Sequence, residues 1–398
     1  MYSPEVKNIT ESDTESQRLE RVLGRYQGRK PGVQVIVVGG LHGNEPAGVQ
    51  AVLRVLDSLR RQAKAFAGKF LALAGNLQAL EKKQRYLDQD LNRMWKPELL
   101  QKLKSSAKPL SAEEQELLAL HEVISGAIAE HDGETILVDL HTTSSQSRPF
   151  CLFGDTLRNR RIAARIPVPM ILGLEEAISG TLMEFITDQG HIGLVFETGP
   201  HDAPQATDIH EAVIWLVLAA AGCIDEKEFP LLNDKRRLLK EAARGVPPVL
   251  EVRYRHAIHP EDRFQMEHGF ENLQKIRAGQ LLAHDKRGPV YSYQSGRILM
   301  PLYQGLGDDG FFVARSISPF WLKISALLRR LHADKIVHWL PGIHKHPSRP
   351  FSYIVNTNVA RWFVIEIFHL LGFRKHSSEH GIEVVTRRKY DFHSPGRS

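Results

Sequence analysis

Residues 33–38 read VQVIVV and run straight into Gly39-Gly40, and this stretch limits the fold more than any other part of the chain. A run of β-branched residues with almost no polar alternation suits a strand covered on both faces, as in a parallel sheet lying under helices. The glycine pair stops the strand and lets the backbone turn. Pro46 then opens a helical pattern that lasts to about Arg61, proline being favoured in a first helical turn. Alternation of strand and helix continues downstream. Strands are expected at 70–74, 135–140, 149–153, 169–172 and 192–196, and helical patterns run over 111–130 and 208–221. Residues 30–225 are therefore expected to form an α/β domain on a mostly parallel central sheet with helices on both faces.

The texture changes at Pro247. Short alternating stretches at 249–254, 290–292 and 297–302, separated by Gly, Asp and Asn, predict a small β-rich second domain over 245–318. The charged run 225–244 makes the connection. Residues 320–398 read as a further α+β extension, with helical patterns at 320–331 and 358–371 and a strand-like segment at 381–387. Residues 1–29 read as an N-terminal extension, and no internal repeat is visible.

Composition narrows the class. With 398 residues, 42% hydrophobic and 25% charged, the chain has an ordinary globular make-up. Its longest apolar run, 212–223, is about half of what a membrane span requires. The N-terminal stretch is polar and acidic where a signal peptide would be basic and then apolar, so a cytoplasmic setting without a membrane partner is expected. Cys151 and Cys223 stand outside every motif below and are expected to be packing thiols. The net charge of +6 is concentrated at one end: residues 321–398 carry 13 Lys+Arg against 5 Asp+Glu, and 8 of the 19 histidines. This basic, His-rich extension is expected to supply a solvated face and an extra packing layer. Its cations are scattered apart from Arg387-Arg388-Lys389, so a nucleic-acid partner is not expected.

Candidate chemistry gathers at strand ends, where open α/β sheets collect ligands. His42 and Glu45 lie in GGLHGNEPAG directly after the first strand, and His141 lies in VDLHTT after another. Imidazole with carboxylate is a normal zinc donor set, and three protein ligands leave a fourth position open. Each also has a plain reading, as an exposed His-x-x-Glu pair or a hydrogen-bonded core histidine. QRYLDQDLNRMW offers Arg85, Asn92 and Arg93, which by themselves read as a surface ion-pair cluster with Asp88 and Asp90. Glu197 ends the apolar strand of IGLVFETGP, a place for a cap-like carboxylate or for a catalytic one. His338, His344 and His346 lie near prolines and read as exposed loop residues rather than as a second metal site.

Taken together, GGLHGNE, NLQALEKKQRYLDQDLNR, DLHTTSS and ETGP resemble, in order and spacing, the motifs of the aspartoacylase and succinylglutamate desuccinylase family, relatives of the zinc carboxypeptidases. The resemblance is dense over 33–200, diffuse over 201–318 and absent from 320–398. It implies a zinc carboxypeptidase-like fold and one zinc ion per chain, held by His42, Glu45 and His141. It implies that Glu197 is the general base, that Arg85 polarises the scissile carbonyl and steadies the oxyanion, and that Asn92 and Arg93 hold a substrate carboxylate. The activity so implied is hydrolysis of an amide bond in an N-acyl amino acid or related small carboxylate-bearing substrate by metal-activated water. A homo-oligomeric state is left open.

The chain also departs from that pattern. Aspartoacylase-like enzymes read an aspartate side chain with an arginine shortly before the base, whereas no Lys or Arg occurs here from Ile166 to Glu226. A tyrosine of the C-terminal domain is replaced by Phe311 or Phe312. N-Acetylaspartate is therefore not the expected substrate, unless Arg253, Arg255 or Arg263 supplies the missing cation. Two other readings stand beside this one: a zinc carboxypeptidase acting on peptides, and a non-enzymatic binding protein that uses its basic tail.

Overall fold

The VQVIVV run lies in the middle of a ten-residue strand whose side chains feed two different cores. A computed structural model describes residues 19–62, 66–303, 307–356, 368–379 and 382–394. The chain begins with β1 (Val22–Gln27), β2 (Lys30–Gly39), α1 (Ala47–Gln62), β3 (Ala67–Ala74), α2 (Leu77–Lys82), α3 (Pro97–Lys104), α4 (Ala112–Ala129) and β4 (Thr135–Thr143). It continues through β5 (Phe150–Phe153), α5 (Leu157–Ala163), β6 (Met170–Leu172), α6 (Leu182–Asp188), β7 (Ile192–Pro200), α7 (Ala206–Ala220) and α8 (Leu231–Ala242). β2 pairs in parallel with β3 and β4, and β4 in parallel with β7. Because side chains alternate across a strand, Val35 and Val37 pack under α1 and α7, while Ile36 and Val38 pack with Leu117, Leu120 and Ile124 of α4. Burial on both faces is the reason the strand shows no polar alternation.

Local chemistry accounts for the element ends. Ser111 and Glu114 form a reciprocal capping box that starts α4, matching the pattern read over 111–130. The charged run 225–244 carries α8, which buries only Leu232 and Leu239 and pairs Lys235 with Glu211 and Arg236 with Glu226. β1 lies within the stretch read as an N-terminal extension. It is a half-exposed sheet edge, antiparallel to β3, and its VLGRYQ sequence gives a weak period-2 signal.

Past α8 come β8 (Val249–Ala257), β9 (Gln265–Met266), β10 (Lys275–Ile276), β11 (Leu281–Asp285), β12 (Gly288–Tyr291), β13 (Gly296–Leu299) and β14 (Asp309–Ser316). β8, β14, β13 and β10 extend the central sheet, whose order is β1-β3-β2-β4-β7-β5-β6-β8-β14-β13-β10, and β12-β11-β9 form a separate small sheet. The sequence texture changes at 247 because this part of the sheet is antiparallel and half covered, whereas β2 to β7 lie under helices. The extension holds α9 (Pro319–Arg330) and an antiparallel sheet of β15 (Ile343–Lys345), β16 (Ser352–Asn356), β17 (Phe373–Glu379) and β18 (Ile382–Arg387) in the order β15-β16-β18-β17. The helical pattern at 358–371 falls mostly outside the described residues.

A buried ionic network fastens this extension to the central sheet. Arg329 of α9 is fully buried and donates to Asp155 Oδ2 (2.8 Å), Asp391 Oδ1 (3.2 Å) and the carbonyl oxygen of His369 (2.9 Å). Arg160 shares Asp155, and these arginines hold its carboxyl well below the usual range although burial alone would raise it. Both cysteines are free and buried, and burial pushes the Cys223 thiol up to about 12, so neither is poised as a nucleophile.

Candidate metal centre and substrate cleft

His42 and Glu45 sit on the loop between β2 and α1. Gly40 turns the chain off the sheet at φ +72°, a conformation that disfavours other residues. Gly43 donates its N–H to the Arg85 carbonyl at 3.2 Å, and a Cβ there would lie 2.0 Å from the Ala79 carbonyl carbon. Only glycine lets this loop lie directly on the backbone of 79–85. His141 stands near the end of β4 as the register partner of Glu197 in β7, so parallel pairing alone puts an imidazole beside that carboxylate.

These elements bring His42, Glu45 and His141 together. Glu45 Oε1 lies 3.0 Å from His42 Nδ1, and Glu45 Oε2 lies 3.1 Å from His141 Nδ1 while accepting the Thr142 N–H at 2.9 Å. All three are buried, and one donor atom from each lies within 4.8 Å of the others. Among the described residues this is the group of side chains placed to hold a metal ion, and His338, His344 and His346 form no such group. Burial would raise the Glu45 carboxyl, but the two imidazoles hold it well below the carboxylate range. His141 moves the other way: burial lowers its pKa, yet Asp139 and Glu45 lift it well above the histidine range.

Glu197 is buried, and its Oε2 has no hydrogen-bond partner. Burial pushes its carboxyl up to about 8, with Glu45 and Asp139 adding to the rise and His141 and Arg85 opposing it. A carboxyl group in that range can both take and give a proton near neutrality.

The stretch 84–93 delivers the cations. Fully buried Glu113 of α4 accepts from the N–H groups of Leu87 (2.8 Å), Asp88 (2.8 Å) and Gln89 (3.3 Å) and from the Asn76 amide (3.0 Å). One carboxylate thereby pins the loop backbone to the helix. Asp90 then accepts from Arg85 (2.9 Å), faces His42 Nε2 (3.0 Å) and caps the short turn Leu91–Arg93 through the Asn92 N–H (2.9 Å). Arg85 Nη1 lies 3.7 Å from Glu45 Oε1, so this guanidinium borders the cluster. The Asn92 side-chain oxygen is taken by the Leu182 N–H (2.9 Å), which leaves its amide NH2 as the group to donate, and Arg93 donates to the Asn92 carbonyl (2.9 Å).

All seven residues line one cleft of about 590 Å³. Leu152, Phe153, Leu174, Ile178, Met183, Val195 and Phe312 give it an apolar wall, and its described cations are Arg85, Arg93 and Lys96. Arg253, Arg255 and Arg263 do not line it; Arg253 pairs with Glu251 and Arg255 with Asp309. Of the two phenylalanines, Phe312 faces the cleft, while Phe311 stacks on His256 with ring centres 4.9 Å apart.

Sequence reasoning did not single out three polar neighbours. Asp139 Oδ2 lies 2.8 Å from His141 Nε2, at an angle poor for a hydrogen bond; its place two residues before His141, on the same face of the strand, was the available signal. Asp90 read as half of a surface ion pair. His201 directly follows ETGP, lines the cleft and meets the Thr142 hydroxyl through Nδ1 (2.6 Å), which leaves Nε2 without a partner.

Residues 31–218 match the succinylglutamate desuccinylase/aspartoacylase catalytic domain. A probable aspartoacylase of Parasynechococcus marenigrum is 33% identical over 175 residues, 42% of this chain and 53% of that protein. An N-acyl-aromatic-L-amino acid amidohydrolase (carboxylate-forming) of Xenopus tropicalis is 36% identical over 125 residues, 31% of this chain and 38% of that protein. The chain thus spans about half or less of the length of these relatives. A crystal structure of a succinylglutamate desuccinylase/aspartoacylase from Rhodobacter sphaeroides superposes with a TM-score of 0.53 over 74% of this chain and 88% of that one; at 20% identity the likeness is one of fold. Motifs, fold and domain match agree: residues 31–218 carry the succinylglutamate desuccinylase/aspartoacylase catalytic domain.

Proposed function

We propose that this protein is a zinc-dependent amidohydrolase that splits N-acyl amino acids into a carboxylate and a free amine. The observation that carries the reading is the buried His42, Glu45 and His141 cluster with the unpartnered Glu197 carboxylate beside it, inside a cleft that also holds Arg85 and Arg93. Two imidazoles and a carboxylate with donor atoms so close fit a zinc ion and leave a position for a further ligand. Such an ion supplies Lewis acidity toward a carbonyl and lowers the pKa of a water.

The chain's own groups do the rest. The Arg93 fork and the Asn92 amide hold the substrate carboxylate and so fix the distance from that carboxylate to the scissile bond. Arg85, locked by Asp90, points a fixed positive charge toward the carbonyl oxygen as it becomes negative. Glu197 takes a proton from the attacking water as the C–O bond forms, then passes it to the nitrogen as the C–N bond breaks. Burial of Glu197 keeps bulk water from competing for that proton.

The apolar wall and the cation count define the substrate side chain. Arg93 and Arg85 have assigned partners in this scheme, which leaves Lys96 alone for a second anion. We therefore expect N-acyl derivatives of neutral, bulky amino acids to be preferred. The test is amine release by the zinc-loaded protein from N-acetyl derivatives of leucine, methionine, phenylalanine and aspartate. The neutral substrates should lead in kcat/KM by about 10²-fold, the scale of one lost charged hydrogen bond. A preference for N-acetylaspartate would overturn the specificity, and release from none of them, with or without zinc, would overturn the activity.

A further inference from the structure

Helix α9 is built inside out. It buries Ser325 and Arg329, and on the opposite side Phe320, Ile324, Leu327 and Leu331 recur at helical spacing as one stripe. Phe320 is 59% exposed, Leu327 53% and Leu331 68%. The following turn adds Ile336, Trp339 (76% exposed) and Leu340. Among the described residues, eight of the eleven exposed large hydrophobic side chains fall within 320–351. The helix cannot roll over to hide the stripe, because Arg329 is locked to the Asp155 and Asp391 carboxylates and to three backbone carbonyls on the buried side.

Charge selects the partner. Lys323, Arg330, Lys335, Lys345 and Arg349 are exposed over the same stretch, and none has an ion pair with a described residue. The one acid among residues 319–350, Asp334, is buried and paired with Arg387 at 2.5 Å. A second copy of the chain would set five cations against five, with no acid between them. A nucleic acid would satisfy the cations but leave the aliphatic stripe facing its phosphates. An anionic bilayer answers both features: lipid headgroups pair the cations, and Trp, Phe and Leu enter the boundary region to a depth of roughly 5–10 Å. No described helix is long and apolar enough to cross a membrane, so the contact is peripheral.

We propose that the α9 face docks the protein on an anionic lipid surface. Binding is part electrostatic and part apolar, so it weakens with added salt without vanishing. The test uses the full chain without substrate and is therefore independent of the hydrolase reading. The protein is sedimented with vesicles of phosphatidylcholine alone or mixed with phosphatidylserine. It should partition onto the mixed vesicles, with a blue shift of tryptophan emission from Trp321 and Trp339. Lys323→Ala with Arg330→Ala should lower the partition coefficient roughly 30-fold, on the scale of two cations near an anionic surface. Leu327→Asp should abolish binding, and Trp339→Ser, which lies outside the helix, should weaken it with the melting temperature unchanged. Failure of the wild type to prefer mixed vesicles, or equal binding by wild type and variants, would overturn the proposal. So would a dimer in sedimentation equilibrium that Leu327→Asp dissolves without any vesicle binding, since that result assigns the face to a second copy.

Discussion

Glu197 is buried, has one oxygen without a partner and lies opposite His141, and the proposed reaction gives it the proton transfer. Glu197→Gln keeps the shape of that group and removes its basicity. The variant should retain zinc and lose at least about 10²-fold in kcat, the lower scale for a general base; substantial residual turnover would remove Glu197 from the proposed mechanism. The two arginines separate by the stage at which their target is charged. Arg85→Ala should chiefly lower kcat, because the carbonyl oxygen becomes negative only in the transition state, whereas Arg93→Ala should chiefly raise KM. Identical kinetic defects in both would break this division. That His42, Glu45, His141 and Glu197 meet in one cleft was legible in the sequence because each follows an apolar run that reads as a buried strand. Asp90 was not, since an aspartate between two arginines looks the same on a surface and in a cleft.

At the scale of elements, the cleft depends on how α4 holds the stretch 84–93. Glu113 has no chemical role in the proposed reaction, yet it satisfies three consecutive loop N–H groups from a helix that lines no part of the cleft. Glu113→Ala strips those groups of their acceptor at about 1–3 kcal/mol each. The melting temperature should fall, and kcat/KM should drop at least about tenfold as Arg85 and Arg93 lose their placement. Glu113→Gln keeps one acceptor oxygen and should fall between wild type and alanine. Equal activity in all three proteins would show that the loop holds itself. The pattern at 111–130 announces the helix through its capping box, but nothing in that pattern announces that its third residue points into another segment's backbone.

For the molecule as a whole, the C-terminal extension braces a turn that borders the cleft. Arg388 donates to Glu175 (2.7 Å) and Glu176 (3.1 Å), and His369 is held between Glu251 (3.0 Å) and Glu176 (3.3 Å). Leu174 and Glu175, in the same short turn, line the cleft. Burial alone would lower the His369 pKa, but the two carboxylates raise it to about 10. Its charged form therefore adds stability that is full below the unfolded value of about 6.5 and is lost as pH rises toward 10. The melting temperature of the wild type should fall more steeply between pH 7 and 10 than that of His369→Gln; parallel slopes would remove His369 from the clasp. By itself the sequence determined the α/β alternation, the strand-end placement of His42, His141 and Glu197 and the absence of Lys and Arg from Ile166 to Glu226, because hydrophobic period and glycine placement act over a few residues and leave a local record. Only the tertiary structure decided that the 245–318 strands extend the central sheet, that Glu113 and Asp90 organise the cleft, and that Arg329 turns the apolar face of α9 outward. Those outcomes rest on partners up to 174 residues apart, and a side chain's own neighbourhood in the sequence does not say whether so distant a partner will meet it.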